Sequence, residues 1–257
     1  MRFRLNKAED LGIKLISVGN LTVGGSGKTP LVTAFATAFK KPAIILRGYG
    51  RDSKGLVVVK DAKEILCDVS VSGDEAMIYA KKLPNAVVIV SEDRKPAIKK
   101  AKEMGCEVVL LDDAYSKHDI KKLDVLIEVK TKNNFCLPSG PYRERLWQGK
   151  EAVVLQEDFD FTRVVTLKNQ TQRMTLVTAI ARPERLNKYL PQVVGKHYFE
   201  DHHTYTKEEL QAILEADNAS SLLVTFKDYV KIESFGLPLS LLDLEVKVDT
   251  NILDRLC

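Results

Sequence analysis

Residues 13–29 read Ile13-Lys-Leu-Ile-Ser-Val-Gly-Asn-Leu-Thr-Val-Gly-Gly-Ser-Gly-Lys-Thr29, an apolar run that passes into a glycine-rich turn. The apolar run predicts a buried strand, and the apolar residues from there to Phe39 recur at helical spacing. Glycines let successive backbone N–H groups converge on an anion, and a following helix directs its positive end at the same point. The stretch therefore predicts a phosphate-binding loop for a nucleoside triphosphate. The alternative is a flexible glycine turn before an ordinary helix.

The loop departs from the G-x-x-x-x-G-K-[ST] pattern at one position, because Thr22 stands where the first glycine is expected. The second half of the pattern is intact. Lys28 is placed to reach the outer phosphates, and the Thr29 hydroxyl is placed to ligate Mg²⁺. The predicted nucleotide-binding residues are Thr22, Val23, Gly24, Gly25, Ser26, Gly27, Lys28 and Thr29.

Composition sets the broad class of the protein. The chain has 257 residues, of which 45% are hydrophobic and 29% are charged, and it is long enough for two domains or one large α/β domain. A net charge of +4 suits anionic partners but is too small to indicate nucleic-acid binding. We expect no nucleic-acid partner. The cysteines show no C-x-x-C spacing, which argues against a zinc ribbon or a disulfide framework and fits a reducing cytoplasm: Cys67, Cys106, Cys136 and Cys257.

A membrane span is not expected from the sequence. No stretch approaches the roughly 20 apolar residues that a spanning helix needs, and the N-terminus lacks the apolar core of a signal peptide. The first residues do interleave basic with apolar side chains: Arg2, Phe3, Arg4, Leu5, Lys7, Leu11, Ile13 and Lys14. This segment either contacts an anionic membrane surface or is a solvated lead-in to the first strand.

Strand-like and helix-like segments alternate as far as residue 129. The alternation predicts a mostly parallel sheet flanked by helices, with strands at 13–18, 43–46, 56–59, 65–71, 86–90, 108–111 and 123–129. The pattern changes after Trp147, where two short strands precede a second α/β unit with helices near 183–190 and at 206–216. We therefore predict a P-loop nucleotide-binding domain over residues 1–150 and a smaller α/β domain over residues 151–257.

Polar clusters follow several of these strands, at the sheet edge where ligands bind in parallel sheets. The loop Arg47-Gly-Tyr-Gly-Arg51 either approaches phosphate closely or is a surface turn with solvated arginines. The two acids of Ser72-Gly-Asp-Glu75 either cap a helix or are placed to meet Mg²⁺ or a proton. Asp112 and Asp113 end an apolar strand, where a carboxylate can share the Mg²⁺ with Thr29.

Three of the four histidines fall in the second half of the chain, at His197, His202 and His203. Histidine titrates near neutral pH and suits proton transfer, whereas the alternative for the adjacent two is a chance pair on the surface. No zinc-ligand spacing accompanies them, so we expect no metal site there.

Taken in order, the motifs resemble the tetraacyldisaccharide 4'-kinase family, the lipid A 4'-kinases of bacteria with an outer membrane, within the P-loop NTPase superfamily. Thr22 fits this family, whose loop carries Ser or Thr at that position. The resemblance rests on residues 16–29 and on shorter motifs over nearly the whole chain: Arg47-Gly-Tyr49, Gly73-Asp-Glu75, Ser91-Glu-Asp-Arg94, Leu111-Asp-Asp113, Leu137-Pro-Ser-Gly140 with Arg143-Glu144, Asp201-His202, and Thr225 with Lys227-Asp228.

The resemblance implies ATP and Mg²⁺, and transfer of the γ-phosphate to the 4'-hydroxyl of an acylated glucosamine disaccharide 1-phosphate by a peripheral enzyme at the cytoplasmic face of the inner membrane. It implies that Asp74 is the base on this hydroxyl and that His202 is oriented against Asp74. Lys28 and Arg94 are the other implied catalytic residues. The residues implied at phosphate or lipid substrate are Arg47, Tyr49 and Arg143, and those implied around the metal are Thr29, Glu75, Asp112, Asp113 and Glu144.

The chain departs from the family pattern in two places. The family usually follows its paired aspartates with Gly-Phe-Gln-His, whereas this chain reads Ala114-Tyr-Ser-Lys-His118. Members generally carry a longer N-terminal helix that associates with the membrane, so attachment is expected here through the shorter basic segment or another surface.

Two other functions stay open: a P-loop switch protein or metal-insertion chaperone, and a degenerate member that binds ATP without turnover.

Overall fold

The computed structural model describes residues 8–24, 27–147 and 149–256. The chain forms two compact units, one of Met1–Arg163 with Val246–Cys257 and the other of Val164–Glu245. The domain boundary expected between residues 150 and 151 lies earlier than the observed division between Arg163 and Val164. Residues 246–257 belong to the first unit, whereas the sequence pattern assigns them to the second domain. The chain returns at its end, where Asp249 N donates to Asp160 O at 3.0 Å, and the sequence pattern carries no sign of that return.

A sheet of seven strands within the described residues forms the base of the first unit. The strands are β1 (Lys14–Gly19), β2 (Pro42–Leu46), β3 (Val57–Asp61), β4 (Val87–Val90), β5 (Val108–Asp112), β6 (Leu123–Ile127) and β7 (Val153–Leu155). Their order in the sheet is β3-β4-β2-β5-β1-β6-β7, and each neighbouring pair is parallel except β3 with β4. Because Val18 pairs with Asp112 in the register of β1 and β5, the P-loop and the paired aspartates leave the sheet side by side.

Helices cover this sheet and begin near its carboxyl edge. Helix α1 starts directly at Lys28 and buries Leu31, Val32, Phe35 and Ala36, as its apolar spacing predicts. It contacts β1, β2 and β5, while α4 contacts β2 and β4. The helices of this unit are α1 (Lys28–Ala36), α2 (Val69–Ser72), α3 (Asp74–Lys82), α4 (Arg94–Glu103) and, at the end of the chain, α7 (Thr250–Leu256).

The second sheet has the strand order β10-β9-β11-β12-β8, and the pairs β10 with β9, β9 with β11 and β11 with β12 are parallel. Thr206 caps α5 by accepting from Glu209 N at 3.2 Å. The strands are β8 (Phe161–Lys168), β9 (Met174–Thr178), β10 (Gly195–Tyr198), β11 (Ser221–Thr225) and β12 (Leu239–Val248), and the helices are α5 (Lys207–Ala216), α6 (Phe226–Ile232) and two 3-10 turns, Pro183–Leu186 and Glu233–Phe235.

The predicted fold class, a mostly parallel α/β sheet with a second α/β unit, is confirmed. The strand predicted at 65–71 is wrong, because its last residues form the short helix α2 and Ile65 makes only an isolated bridge to Lys60. The helix predicted near 183–190 is reduced to a 3-10 turn.

The longest helices in the described parts of the chain, α4 and α5, have 10 residues each. None of the helices there is long and apolar enough to cross a bilayer. The N-terminal basic segment up to Lys7 lies outside the described residues.

Candidate active site

Asn20, which follows β1, organises the start of the P-loop. Its side chain is fully buried, and its Nδ2 donates to the Thr22 backbone oxygen at 2.7 Å and to Thr22 Oγ1 at 3.0 Å. Its Oδ1 accepts from Lys28 Nζ at 3.0 Å. A glycine at position 22 would lack the hydroxyl, so Thr22 is a partner of Asn20 that the strict loop pattern does not provide.

Residues 141–143 hold the same part of the loop from a distant part of the sequence. Val23 N donates to Pro141 O at 2.8 Å, and Arg143 N donates to Leu21 O at 2.9 Å. The two segments meet as an antiparallel bridge at Thr22. This pairing delivers the Arg143 side chain to the P-loop.

Glycine conformation explains part of the loop sequence. Gly24 and Gly27 have φ angles of 96° and 74°, a region in which a residue with a side chain is strained. Gly27 directly precedes α1, so it supplies the turn into the helix. The predicted binding residues Gly25 and Ser26 lie outside the described residues.

Lys28, Arg143 and Asp113 form the charged centre of the site. Arg143 donates from Nη1 to Asp113 Oδ2 at 2.9 Å, from Nη2 to Asp113 Oδ1, and from Nη2 to the Asn20 backbone oxygen at 3.1 Å. Lys28 Nζ lies 3.6 Å from Asp113 Oδ1. Burial alone would raise the pKa of Asp113, but Arg143 and Lys28 hold it below its usual value. Two cations therefore flank an ionised carboxylate beside the P-loop.

Asp112 lies deeper, with 3% of its surface exposed. Its Oδ2 accepts from the Tyr79 hydroxyl at 2.8 Å, whereas its Oδ1 has no hydrogen-bond partner among the described residues. Burial raises the pKa of this carboxyl, against the opposing effect of Lys28 and the Tyr79 hydrogen bond. A buried carboxylate oxygen without a donor fits a cation ligand.

Arg94 supports the ends of β4 and β5 from the start of α4. It is buried and donates from Nη1 to Ser91 O and from Nη2 to Asp112 O at 3.4 Å. The guanidinium thus places a positive charge next to Asp112 while it holds backbone oxygens. Its predicted role in catalysis stays a prediction.

The Arg47–Arg51 loop lies against the start of α3. A Cβ on Gly73 would stand 3.1 Å from the Tyr49 backbone oxygen, which explains a residue without a side chain at that position. Arg51 is not a solvated arginine, because it donates to Gly55 O at 2.6 Å and to Glu92 Oε1 at 2.6 Å with its side chain nearly buried. Arg47 is exposed, and its contact with phosphate stays a prediction.

Asp74 and Glu75 stand in the first turn of α3. Gly73 is the N-cap residue, so neither acid caps the helix, although the helix dipole favours both. Asp74 is partly buried and Glu75 is exposed. Asp74 directly follows Gly73, which packs against the Arg47–Arg51 loop, and its place beside the phosphate-binding residues stays a prediction.

The predicted metal shell is only partly assembled. In the described residues, no three side chains of His, Cys, Asp and Glu converge as a metal site. Mg²⁺ commonly uses one or two protein carboxylates and completes its shell with phosphates and water, and Asp112 with Thr29 meets that requirement. Asp113 accepts a hydrogen bond from Arg143, and burial raises the pKa of Glu144. Contacts of Asp113, Glu144 and Glu75 with a metal ion stay predictions.

His202 is placed in the second unit by a strained turn. Its φ is 66°, and its Nε2 lies 3.8 Å from Asp201 Oδ2. Lys227 Nζ donates to Asp201 Oδ1 at 2.8 Å. Burial would raise the pKa of Asp201, but Lys227 holds it below its usual value. Asp74 and His202 belong to different units, so their pairing stays a prediction.

The other two histidines have local structural partners. His203 contacts Glu209 Oε2 at 3.0 Å and stacks on Phe199 with ring centroids 4.6 Å apart. His197 Nε2 lies 2.7 Å from Asp217 Oδ2. Their rings are held within the second unit, and His202 remains the histidine with a candidate role in proton transfer.

Asp228 explains the motif at Thr225 and Lys227. It is fully buried and accepts from Ala179 N at 2.9 Å, from the Tyr205 hydroxyl at 2.9 Å and from Thr225 Oγ1 at 2.7 Å. The carboxylate therefore ties β9, β11 and α6 together, while Lys227 next to it engages Asp201.

The segment Ala114–His118, which departs from the family pattern, has a packing role. Ala114 and Tyr115 are buried. His118 lies with its ring centroid 4.4 Å from that of Trp147, and its Nδ1 is 3.0 Å from Lys150 Nζ. Burial lowers the pKa of His118, and Lys150 adds to the effect. This segment anchors Trp147 and Lys150 and brings no acid or base to the P-loop.

Sequence reasoning missed Asn20 and Tyr79 as site residues. Asn20 carries a usable signal, because a polar residue directly after a buried strand must find partners. Tyr79 carries none, since an aromatic residue at helical spacing is ordinary core.

Replacing Asn20 by alanine is expected to weaken ATP binding about tenfold, because the Lys28 ammonium loses a charge-assisted acceptor of roughly 1.5 kcal/mol. Calorimetric titration with ATP measures the change. Asn187→Ala is the matched control, since Asn187 Oδ1 also accepts from a lysine, Lys196 Nζ at 3.1 Å, on the surface of the second unit. Equal ATP affinity in Asn20→Ala and Asn187→Ala would show that Asn20 does not position Lys28.

Comparison with known proteins agrees with this geometry. The family model described as LpxK, tetraacyldisaccharide-1-P 4'-kinase, matches residues 1–256. A tetraacyldisaccharide 4'-kinase of Aliarcobacter butzleri (strain RM4018) is 46% identical over 261 residues, which cover 98% of this chain and 83% of that protein. The enzyme of the same name from Helicobacter acinonychis (strain Sheeba) is 46% identical over 254 residues, which cover 97% of this chain and 81% of that protein.

A solved structure shares the fold over almost the whole chain. The crystal structure of the "apo" form of LpxK from Aquifex aeolicus in complex with ATP matches with a TM-score of 0.75 and 26% sequence identity, covering 98% of this chain and 89% of that chain. The P-loop α/β fold predicted from the sequence is confirmed by this match. Since a family model matches the chain from residue 1 to residue 256 and relatives share nearly half of its residues, the chain belongs to the tetraacyldisaccharide-1-phosphate 4'-kinase family.

Proposed function

We propose that this protein transfers the γ-phosphate of ATP to the 4'-hydroxyl of tetraacyldisaccharide 1-phosphate, a step of lipid A synthesis. Family membership and the names of its relatives support the reaction, and the Aquifex aeolicus protein was crystallised with ATP. The observation in this structure that carries the proposal is the convergence of Lys28, Arg143 and the buried Asp112 at the P-loop.

The residues at the P-loop provide positioning and charge for phosphoryl transfer, which needs little covalent chemistry from the protein. Lys28 lies where it can hold the outer phosphates, and Arg143 is held next to it by the Asn20 backbone oxygen. Arg47 on its exposed loop would steady charge on the phosphates or on the 1-phosphate of the acceptor. Tyr49, which exposes 72% of its surface, would line the acceptor side.

Thr29 and Asp112 fit a magnesium ion, because a hydroxyl and a buried carboxylate oxygen without a donor meet the preference of Mg²⁺ for oxygen. Bound there, Mg²⁺ would neutralise the charge that develops on the β- and γ-phosphates. Asp112 keeps its Oδ1 available for this purpose while its Oδ2 is held by Tyr79.

Proton removal from the 4'-hydroxyl is assigned to Asp74. A carboxylate oxygen can accept the proton of the attacking hydroxyl, and general-base catalysis contributes about 10²- to 10⁴-fold. His202 would orient the Asp74 carboxylate, as the family motif Asp201-His202 implies.

Contact with an anionic membrane surface is part of the proposal, since the acceptor is a lipid. Several apolar side chains of the first unit expose 42% to 72% of their surface on the loops that carry Arg47 and Arg143: Tyr49, Phe135, Leu137 and Trp147. Aromatic groups next to cations suit a headgroup region. We place the protein at the cytoplasmic face of the inner membrane, as a peripheral enzyme.

The test is transfer of labelled phosphate from ATP to purified tetraacyldisaccharide 1-phosphate. We expect a labelled lipid product with the tetraacyldisaccharide 1-phosphate, and none with an acceptor already phosphorylated at the 4' position. Absence of lipid product at saturating ATP binding would overturn the kinase function and favour a degenerate ATP-binding member. Nucleotide hydrolysis that responds to a protein partner and not to the lipid would favour a P-loop switch protein.

A further inference from the structure

Tyr79 lies at the point where α3 meets the P-loop helix and the end of β5. The residue is fully buried. Its hydroxyl donates to Asp112 Oδ2 at 2.8 Å, and a side-chain hydrogen bond also links it to Thr29. The hydroxyl therefore touches both residues that fit the metal ion.

The hydrogen bond to Oδ2 decides which oxygen of Asp112 is available. Oδ1 is buried and has no partner in the described part of the chain. Without the tyrosine donor, the carboxylate can rotate and offer either oxygen to other groups. Outer-shell partners that fix a ligand in this way typically change metal affinity 10- to 100-fold.

We propose that Tyr79 is a positioning residue of the metal site, whose hydroxyl links Thr29 to Asp112 and leaves Asp112 Oδ1 free for the cation. The inference rests on the proposed function, because it takes Thr29 and Asp112 as the residues that hold the divalent ion. It extends that function to a residue that acts through its hydrogen bonds to Asp112 and Thr29.

The position of Tyr79 on α3 adds a second consequence. Asp74, the proposed base, begins the same helix, about 7.5 Å away along the axis at 1.5 Å per residue. The Tyr79 hydroxyl therefore fixes the helix that carries the base against the strand that carries the metal ligand. Packing of the Tyr79 ring alone would hold α3 against β5 but would not orient the Asp112 carboxylate.

The experiment removes the hydroxyl and measures cation binding directly. Mn²⁺, read by its paramagnetic resonance signal, is titrated into protein saturated with ADP. We expect Tyr79→Phe to weaken Mn²⁺ binding about 10- to 100-fold, while ADP binding without metal is unchanged. Tyr115→Phe is the matched control, because Tyr115 is also buried in the first unit but its hydroxyl accepts from Trp147 N at 3.1 Å; it should bind Mn²⁺ as the wild type does.

A second pair of variants separates orientation from packing. Replacement of Tyr79 by 4-aminophenylalanine keeps a donor of similar size and should retain Mn²⁺ affinity, whereas 4-methylphenylalanine fills the volume without a donor and should lose it. This pair of variants also tests the role of the Tyr79 hydroxyl if Tyr79→Phe does not fold.

The combination with Asp112→Asn separates this inference from the proposed function. If Tyr79 acts through Asp112, adding Tyr79→Phe to Asp112→Asn should cause no further loss of Mn²⁺ affinity. Wild-type affinity in Tyr79→Phe, together with weakened binding in Asp112→Asn, would overturn the role of Tyr79 and leave the metal site in place. Wild-type affinity in Asp112→Asn would overturn the metal site itself.

Discussion

Asp74→Asn is expected to lower the turnover number by about 10²- to 10⁴-fold, the usual contribution of a general base. The amide keeps the size of the side chain and its place in the first turn of α3 but cannot accept the proton of the 4'-hydroxyl. ATP affinity should change little, since Lys28 and Arg143 keep their hydrogen bonds to Asn20 at the P-loop. Phosphate transfer to the lipid under saturating substrates, together with calorimetry for ATP, measures the two effects.

The matched control is Asp68→Asn, which makes the same change of charge at the exposed N-cap position of the preceding helix. It should retain wild-type turnover. Equal losses of turnover and ATP affinity in Asp74→Asn would place Asp74 in nucleotide binding and remove it as the base.

His202 is tested against Asp74 by combining their substitutions. His202→Ala should also lower turnover far more than ATP affinity. If the two residues act as a unit, the double variant should be no slower than the slower single variant, because effects within a catalytic unit are not additive. Full turnover in His202→Ala would rule out a site assembled from both units.

Local sequence patterns were sufficient to predict the carboxyl edge of the first sheet. An apolar run before Asn20 and another before Asp112 each predict a buried strand, and parallel strands bring their carboxyl ends to the same edge. Because the strand register places Val18 next to Asp112, the P-loop and the aspartates meet without help from the rest of the chain.

Contacts between distant parts of the sequence could not be predicted in this way. Arg143 bonds to Asn20 across 123 residues and to Asp113 across 30 residues. Local sequence patterns mark Arg143 only as an arginine in a loop with proline and glycine, and its place at phosphate or lipid substrate comes from the family resemblance alone. The antiparallel pairing of residues 21–23 with 141–143 places it, and no local periodicity reports such a pairing.

The clearest wrong prediction is the strand at 65–71, part of which forms the short helix α2. Cys67, Val69 and Val71 alternate with the polar residues Asp68 and Ser70, which predicts a strand. Asp68 instead begins a four-residue helix that ends at Gly73, whose φ of 82° few other residues accept. A single helical turn is too short to show its own period, so tertiary contacts such as Asp52 N to Ser70 O at 2.8 Å decide the outcome.

Lys28→Met is expected to lower kcat/KM for lipid phosphorylation by about 10³-fold, because it removes a preorganised charge from the phosphates in the transition state. The fold should persist. Arg143 still holds Asp113 through two nitrogens, and the Lys28–Asp113 pair, with side chains 18% and 39% exposed, contributes at most about 1 kcal/mol to stability.

Thermal unfolding and kinetics on the same sample separate the effect of Lys28→Met on catalysis from its effect on stability. Lys99→Met, on the exposed face of α4, is the control for loss of a lysine. A loss of activity matched by an equal loss in Lys99→Met, or explained by unfolding at the assay temperature, would contradict a direct role for Lys28 in holding phosphate.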